Sequence, residues 1–290
     1  MQYRREIDGL RALAVLPVML FHAGIRVFSG GFVGVDIFFV ISGYLITTIL
    51  IGEIGSGRFT LVQFYERRAR RILPALFFVM ALCLPCAWLW LLPSDMKDFA
   101  DSLIAVPTFV SNLLFWRNTG YFDTASELKP LLHTWSLAVE EQYYLFFPIF
   151  LMLTWKQGQR RVLGILIAVA IGSLLLAEWG STHKADAAFY LMPTRIWELL
   201  VGAFAAFHLA NAQRPQAGPR IDAIASVAGL ILVLIGIFEF DNATPFPGFD
   251  ALIPTVGAVL IILFASPANV VGRLLGSALP VQIGLISYSA

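Results

Sequence analysis

The chain has 290 residues, 58% of them hydrophobic and 13% charged, with a formal net charge of +1 and a mean hydropathy of +0.77. A soluble globular domain has roughly 45–50% apolar and 25% charged residues, so a soluble fold is excluded. The balanced charge offers no basic excess for nucleic acid, and no nucleic-acid partner is expected. Cys83 and Cys86 are too few for a disulfide framework and, one helical turn apart in an apolar run, read as packing residues.

A membrane-spanning helix needs about 20 mainly apolar residues. In chain order, residues 10–28, 33–51, 72–92, 137–154, 162–178, 190–209, 221–239 and 251–265 meet that need, and a ninth span begins near Pro280. The expected fold class is therefore all-α, a polytopic transmembrane helical bundle. The first span is no cleavable signal, because it is long, carries Arg11 and His22, and lacks a small-residue cleavage site after it. Alternating the spans with the N-terminus inside puts fourteen of the twenty Lys and Arg on the cytoplasmic side and five outside, with Arg195 within a span. The positive-inside rule favours that orientation.

The outer stretch from Pro93 to Thr134 contains the semi-apolar segment FADSLIAVPTFVSNLLFW (99–116). Counting it as a span would turn Lys156, Arg160, Arg161, Arg214 and Arg220 outward, so it reads as surface or re-entrant helices. The ninth span runs only from Pro280 to Ala290, so the expected organisation is one transmembrane domain, 1–290, cut within that span.

Ionisable groups in hydrocarbon are costly enough to mark candidate sites. Arg11 and His22 are eleven residues apart, which places them about 20° apart around one helix and about 16 Å along it. Arg11 is expected at the cytoplasmic mouth and His22 in the outer half. Depth counting puts Asp36, Glu140, Glu141 and Arg195 near the level of His22, where a carboxylate would orient a histidine general base. The candidate catalytic residues are His22, Asp36, Glu140 and Glu141, while Arg195 and Glu198, three apart, also read as a buried ion pair.

The loop expected after the second span reads FYERRARRILPAL (64–76) and holds four arginines in five positions, Arg67, Arg68, Arg70 and Arg71, just before the third helix. Positive-inside anchoring does not require that density; arginine forks suit a phosphate-rich ligand, or an anionic lipid. Arg11, Arg67, Arg68 and Arg71 form the candidate cofactor-binding set. His133, Trp135 and Ser136 enter the fourth span from outside and, with Arg195, form the candidate substrate-binding set, although an aromatic there also reads as an interface anchor. Gly30, Gly31, Gly34 and Gly43 read mainly as close helix packing. No GxSxG motif or zinc-ligand spacing occurs, and no metal is expected.

Four ordered motifs carry a resemblance that covers essentially the whole chain: RREIDGLRALAVLPVMLFHAG (4–24), GGFVGVDIFFVISGYLIT (30–47), the RxxR pair Arg68 and Arg71, and LLHTWSLAVEEQYYLFFP (131–148). The chain resembles the acyltransferase-3 family of integral membrane O-acyltransferases, in particular the O-antigen acetylase type. The resemblance implies a ten-helix domain in the bacterial inner membrane that takes acetyl groups from cytoplasmic acetyl-CoA and delivers them to an extracytoplasmic polysaccharide. It further implies that RxxR holds the nucleotide phosphates, that Arg11 guides the donor's arm, and that His22 acts as general base or carries the acetyl group. Members of this type often continue into a C-terminal SGNH-type domain. The rival reading from the residues alone is a transporter that uses His22, Asp36, Glu140 and Glu141 as a relay.

Overall fold

The computed structural model describes residues 3–118, 129–211, 218–241 and 243–287, and among these no strand occurs. The helices are α1 (Arg5–His22), α2 (Gly34–Gly55), α3 (Leu61–Trp90), α4 (Pro93–Ala105), α5 (Ser111–Arg117) and α6 (Thr134–Thr154). They continue as α7 (Gln159–His183), α8 (Ala185–Tyr190), α9 (Met192–Asn211), α10 (Pro219–Glu239), α11 (Leu252–Phe264), α12 (Val270–Leu275) and α13 (Ala278–Ile286). The result is an all-α membrane bundle in which each of the nine expected spans meets a helix. The end of the ninth, 288–290, lies outside the described residues.

Gly31–Gly55, Leu61–Trp90, Gln159–His183 and Pro219–Glu239 are long and apolar enough to cross a membrane by themselves. Their outward faces fit that role: α3 exposes Phe77, Phe78, Leu82, Trp88, Leu89 and Trp90, an apolar surface that water would not tolerate at this extent. The semi-apolar stretch from Pro93 forms α4 and α5, thirteen and seven residues long and too short to cross. Cys83 and Cys86 are free thiols on α3.

The first helix departs from expectation. It begins at Arg5 rather than near residue 10 and ends at His22 rather than near 28, where Gly24 at φ +75° turns the chain. A charged start is tolerable because its charges are matched: Arg4 meets Glu6 at 2.9 Å, and Arg11 lies 3.7 Å from Asp8. Arg4 also donates to the Ile262 carbonyl at 2.7 Å and Arg5 to the Gly276 carbonyl at 2.9 Å. These two arginines thus satisfy carbonyls at the C-terminal ends of α11 and α12, groups that have no partner within their own helices.

Two apolar cores flank one central helix pair. Phe39, Phe64, Tyr143 and Trp197 belong to the core shared by α2, α3, α6 and α9; Leu10, Ile37, Ala205 and Ile261 belong to that shared by α1, α2, α9 and α11. α2 and α9 contribute to both because their backbones approach closely. A Cβ at Gly43 would collide with the Leu199 carbonyl, and one at Gly202 with the Val40 carbonyl. Gly43→Val is expected to lower stability by about 1–3 kcal/mol or more through overpacking, read as a fall in the thermal unfolding midpoint in detergent.

Candidate functional site

His22 closes α1 and is exposed, with its Nδ1 2.8 Å from the Val18 carbonyl. A carbonyl can only accept, so Nδ1 carries the hydrogen and the Nε2 lone pair is left to act as a base. The Phe21 ring meets the imidazole edge-to-face, with centroids 5.2 Å apart. His133, immediately before α6, lies near enough to sense His22. His133 is itself exposed, and crowding by the surrounding protein, and after it the His22 imidazole, shifts it below the usual histidine range. Ser136 Oγ donates to the His133 carbonyl at 3.2 Å.

The carboxylates expected beside His22 are elsewhere, in two separate groups. Asp36, on the first turn of α2, accepts a 2.8 Å hydrogen bond from Arg195 of α9, which also lies 3.2 Å from Glu198. All three side chains have no exposed surface. Aromatic rings enclose the guanidinium: its Cζ lies 5.3 Å from the Phe39 centroid, 5.5 Å from Phe246, 5.7 Å from Trp135 and 5.9 Å from Phe189. Arg195 is thus buried at the centre of an ion triad, and Trp135, 6% exposed and packed on Phe189 and Tyr190, is a core residue in this conformation rather than an open platform.

Glu140 and Glu141 lie deeper. Glu140 accepts a 2.6 Å hydrogen bond from Ser42 and a longer one, 3.5 Å, from Tyr144. Glu141 lies 3.6 Å from Arg68, whose guanidinium sits 4.1 Å above the Tyr144 ring. Arg11 and Arg68 both act electrostatically on Glu140.

His22, Asp36 and Glu140 therefore do not share one layer. Ser42 is six residues beyond Asp36 on α2, a rise of about 9 Å. Gly34 packs on Ala14 and Val18, and Gly31 on Pro17 and Phe21, which sets His22 level with the turn before α2. Depth counting failed because α1 ends six residues earlier than its apolar run suggests.

The arginine set also divides. Arg11 is buried rather than at the mouth, because the helix starts a full turn earlier than expected. Arg68 is turned inward, its side chain 11% exposed. Arg67 is half-exposed and Nη2 donates to both Glu53 oxygens at 2.8 Å, Arg70 meets Glu66 at 2.7 Å, and Arg71 is exposed. They stand not in a loop but on α3, which starts at Leu61, and on a helix residues 67 and 68 differ by about 100°.

The exposed His22 lies at one end and the arginines at the other, with the partly buried contacts of Arg68 with Glu141 and Tyr144 and of Glu140 with Ser42 and Tyr144 between them. The sequence profile described as an acyltransferase domain matches residues 4–290. The chain belongs to this acyltransferase family. It is 33% identical over 302 residues to the peptidoglycan O-acetyltransferase OatA of Listeria monocytogenes, covering 99% of this chain and 48% of that protein. It is 36% identical over 244 residues to a Haemophilus influenzae protein, covering 81% of this chain and 99% of that one. The chain spans about half the length of the Listeria and Staphylococcus aureus relatives it matches. No solved structure matches it.

Sequence reasoning about this acyltransferase-family chain missed the functions of Arg4 and Arg5 as helix-end ligands, and the partnerships of Ser42 and Tyr144 with Glu140. A polar residue on an apolar helix was the available signal for Ser42. The ends that Arg4 and Arg5 reach are more than 250 residues away in sequence, and no local pattern announces them.

Proposed function

We propose that the chain moves an acetyl group from acetyl-CoA, taken at the end of the bundle that bears Arg67 and Arg71, to a hydroxyl of a cell-envelope glycan at the His22 end. In this reading the N-terminus is cytoplasmic and the membrane is the bacterial inner membrane. The observation that carries it is the state of His22, exposed at the end of α1 with Nδ1–H committed to Val18 and Nε2 open. Acetyl-CoA supplies an activated thioester. The arginine chemistry fits such a donor: Arg67 already holds both oxygens of a carboxylate, and phosphate is bound by the same charge-assisted contacts. Arg68 and Arg11, turned inward beside Glu140 and Glu141, line a polar file towards His22.

At the outer end His22 Nε2 takes the proton of the acceptor hydroxyl as its oxygen bonds to the acetyl carbonyl carbon; the C–S bond then breaks and the imidazolium returns the proton to the leaving CoA thiolate, while the carbonyl of Val18 holds the ring in place and stabilises the imidazolium. His133 and Ser136 are proposed acceptor contacts at the same end. Lipopolysaccharide O-antigen is the proposed acceptor; the printed name of the Listeria relative supports peptidoglycan as the second choice.

The test is acetyl-CoA binding and turnover by the full-length protein in nanodiscs. Arg68→Ala/Arg71→Ala is expected to weaken acetyl-CoA binding by about tenfold or more, whereas His22→Ala binds normally and turns over poorly. Failure of the well-folded wild type to bind acetyl-CoA overturns the donor assignment.

A further inference from the structure

Between the buried ion triad and His22 runs an unbroken series of ring contacts. From Arg195, the Phe246 centroid is 5.5 Å away; Phe246 meets Phe32 at 4.9 Å and 80°. Phe32 meets Phe21 at 5.8 Å and 69°, and Phe21 meets the His22 imidazole at 5.2 Å and 85°. These three ring pairs are edge-to-face, the arrangement that the ring quadrupole favours and that fixes relative orientation rather than merely filling space. The segments involved are distinct: Phe21 lies in the last turn of α1, Phe32 follows the Gly30-Gly31 turn, and Phe246, far away in sequence, lies between α10 and α11.

The backbone is shaped to permit the series. A Cβ at Gly31 would collide with the Pro17 carbonyl and lie 2.8 Å from the Phe21 Cβ, so only glycine lets this turn press Phe32 against α1. Gly30 N–H donates to the Ile237 carbonyl at 3.1 Å and ties the turn to α10. Phe246 packs against both apolar cores. His22 itself is exposed, and its described hydrogen bond is to its own helix. Val18 tethers the imidazole at Nδ1 and Phe21 meets its ring, both from α1, while Phe32 and behind it Phe246 pack on Phe21 from outside that helix and fix the ring that His22 rests against.

We infer that Phe32 and Phe246 are positioning residues for acyl transfer, holding His22 through Phe21 and anchored at their far end on the Arg195 guanidinium. This rests on the reading of His22 as the base. A base displaced by about 1 Å can lose on the order of 10²-fold in rate, so removing a link alters turnover more than donor binding.

The experiment measures kcat and KM for acetyl-CoA, with thermal unfolding, on the full chain in nanodiscs. Phe32→Leu removes the ring and keeps the apolar bulk; it is expected to lower kcat about 10- to 100-fold while KM and the unfolding midpoint stay near wild type. Phe32→Tyr, which keeps the ring, is expected to retain kcat. Phe246→Leu is expected to act as Phe32→Leu does, and combining the two to cost no more than either alone, since both break one series. If Phe32→Leu and Phe246→Leu keep wild-type kcat while His22→Ala loses it, the positioning inference is overturned and the catalytic reading stands. If Phe32→Tyr loses kcat as fully as Phe32→Leu, the ring is not what matters and the inference is likewise overturned. Full turnover by His22→Ala overturns both.

Discussion

His22→Ala is expected to reduce acetyl transfer by about 10²- to 10⁴-fold, the usual contribution of a positioned general acid or base, with donor binding and thermal unfolding nearly unchanged. The physical basis is the asymmetry of the site. The imidazole contributes little to the fold: it is exposed, its described hydrogen bond is to the carbonyl of Val18 within α1, and its ring contact is with its neighbour Phe21. Its chemistry is nevertheless specific, because the bond at Nδ1 selects the tautomer with Nε2 free. His22→Gln keeps a polar group near the site, but an amide has no lone pair basic enough to take a hydroxyl proton, so it is expected to be as inactive as the alanine variant. Transfer of labelled acetyl groups from acetyl-CoA to envelope glycan by membranes carrying each variant measures the effect. Transfer by His22→Ala at the wild-type rate would falsify the assignment.

Arg195→Met is expected to be the most damaging single change to the fold, lowering stability by about 3–5 kcal/mol, the cost of breaking a buried charge pair by removing one partner. Its removal leaves Asp36 and Glu198 together, fully enclosed, with no cation within the triad. A guanidinium at that point also touches the rings of Phe39, Trp135 and Phe246, so the same change loosens the junction between α2, α6 and α9. The triple variant Asp36→Asn/Arg195→Met/Glu198→Gln is expected to recover much of the loss, since neutral groups of similar shape remove the unmatched charge. Thermal unfolding in detergent distinguishes the two. A merely kinetic effect, with unchanged unfolding for Arg195→Met, would show instead that this arginine acts on acceptor binding from its buried place.

Most of the fold was legible. Hydrocarbon admits few backbone arrangements, so a run of apolar residues of the right length is nearly sufficient to place a helix; α2, α6, α7, α9, α10 and α11 lie where the runs are, whereas α3 begins at Leu61, well before its run at 72, and carries as helix the arginines expected in a loop. The stretch read as non-spanning forms the short helices α4 and α5, thirteen and seven residues long. α1 was misplaced at both ends. Its start is charged, and the pairings that make a charged helix start acceptable, Arg4 with Glu6 and the carbonyls of α11, depend on residues that local hydropathy does not see.

The candidate site was legible as a set of residue types and illegible as an arrangement. Counting residues along helices put His22, Asp36, Glu140, Glu141 and Arg195 at one depth, but an error of six residues at the end of α1 is about 9 Å, enough to move an imidazole out of reach of every carboxylate assigned to it. Arg67, Arg68, Arg70 and Arg71 read as one cluster in the sequence. On the helix they diverge, and only the packing of α3 against α6 turns Arg68 inward onto Tyr144 and Glu141.

By itself, then, the sequence determined the membrane environment, the helices and the residue types available at each end. These follow from quantities that add along a chain: apolar length, charge balance and helical rise. Only the tertiary structure decided which charge meets which. Partnership depends on the rotation and height of each helix against its neighbours, set by such close approaches as Gly43 on Leu199 and Gly31 on Pro17. A rotation of one residue turns a side chain by about 100°, and with it decides whether an arginine faces a carboxylate, a ring or the open end of the bundle.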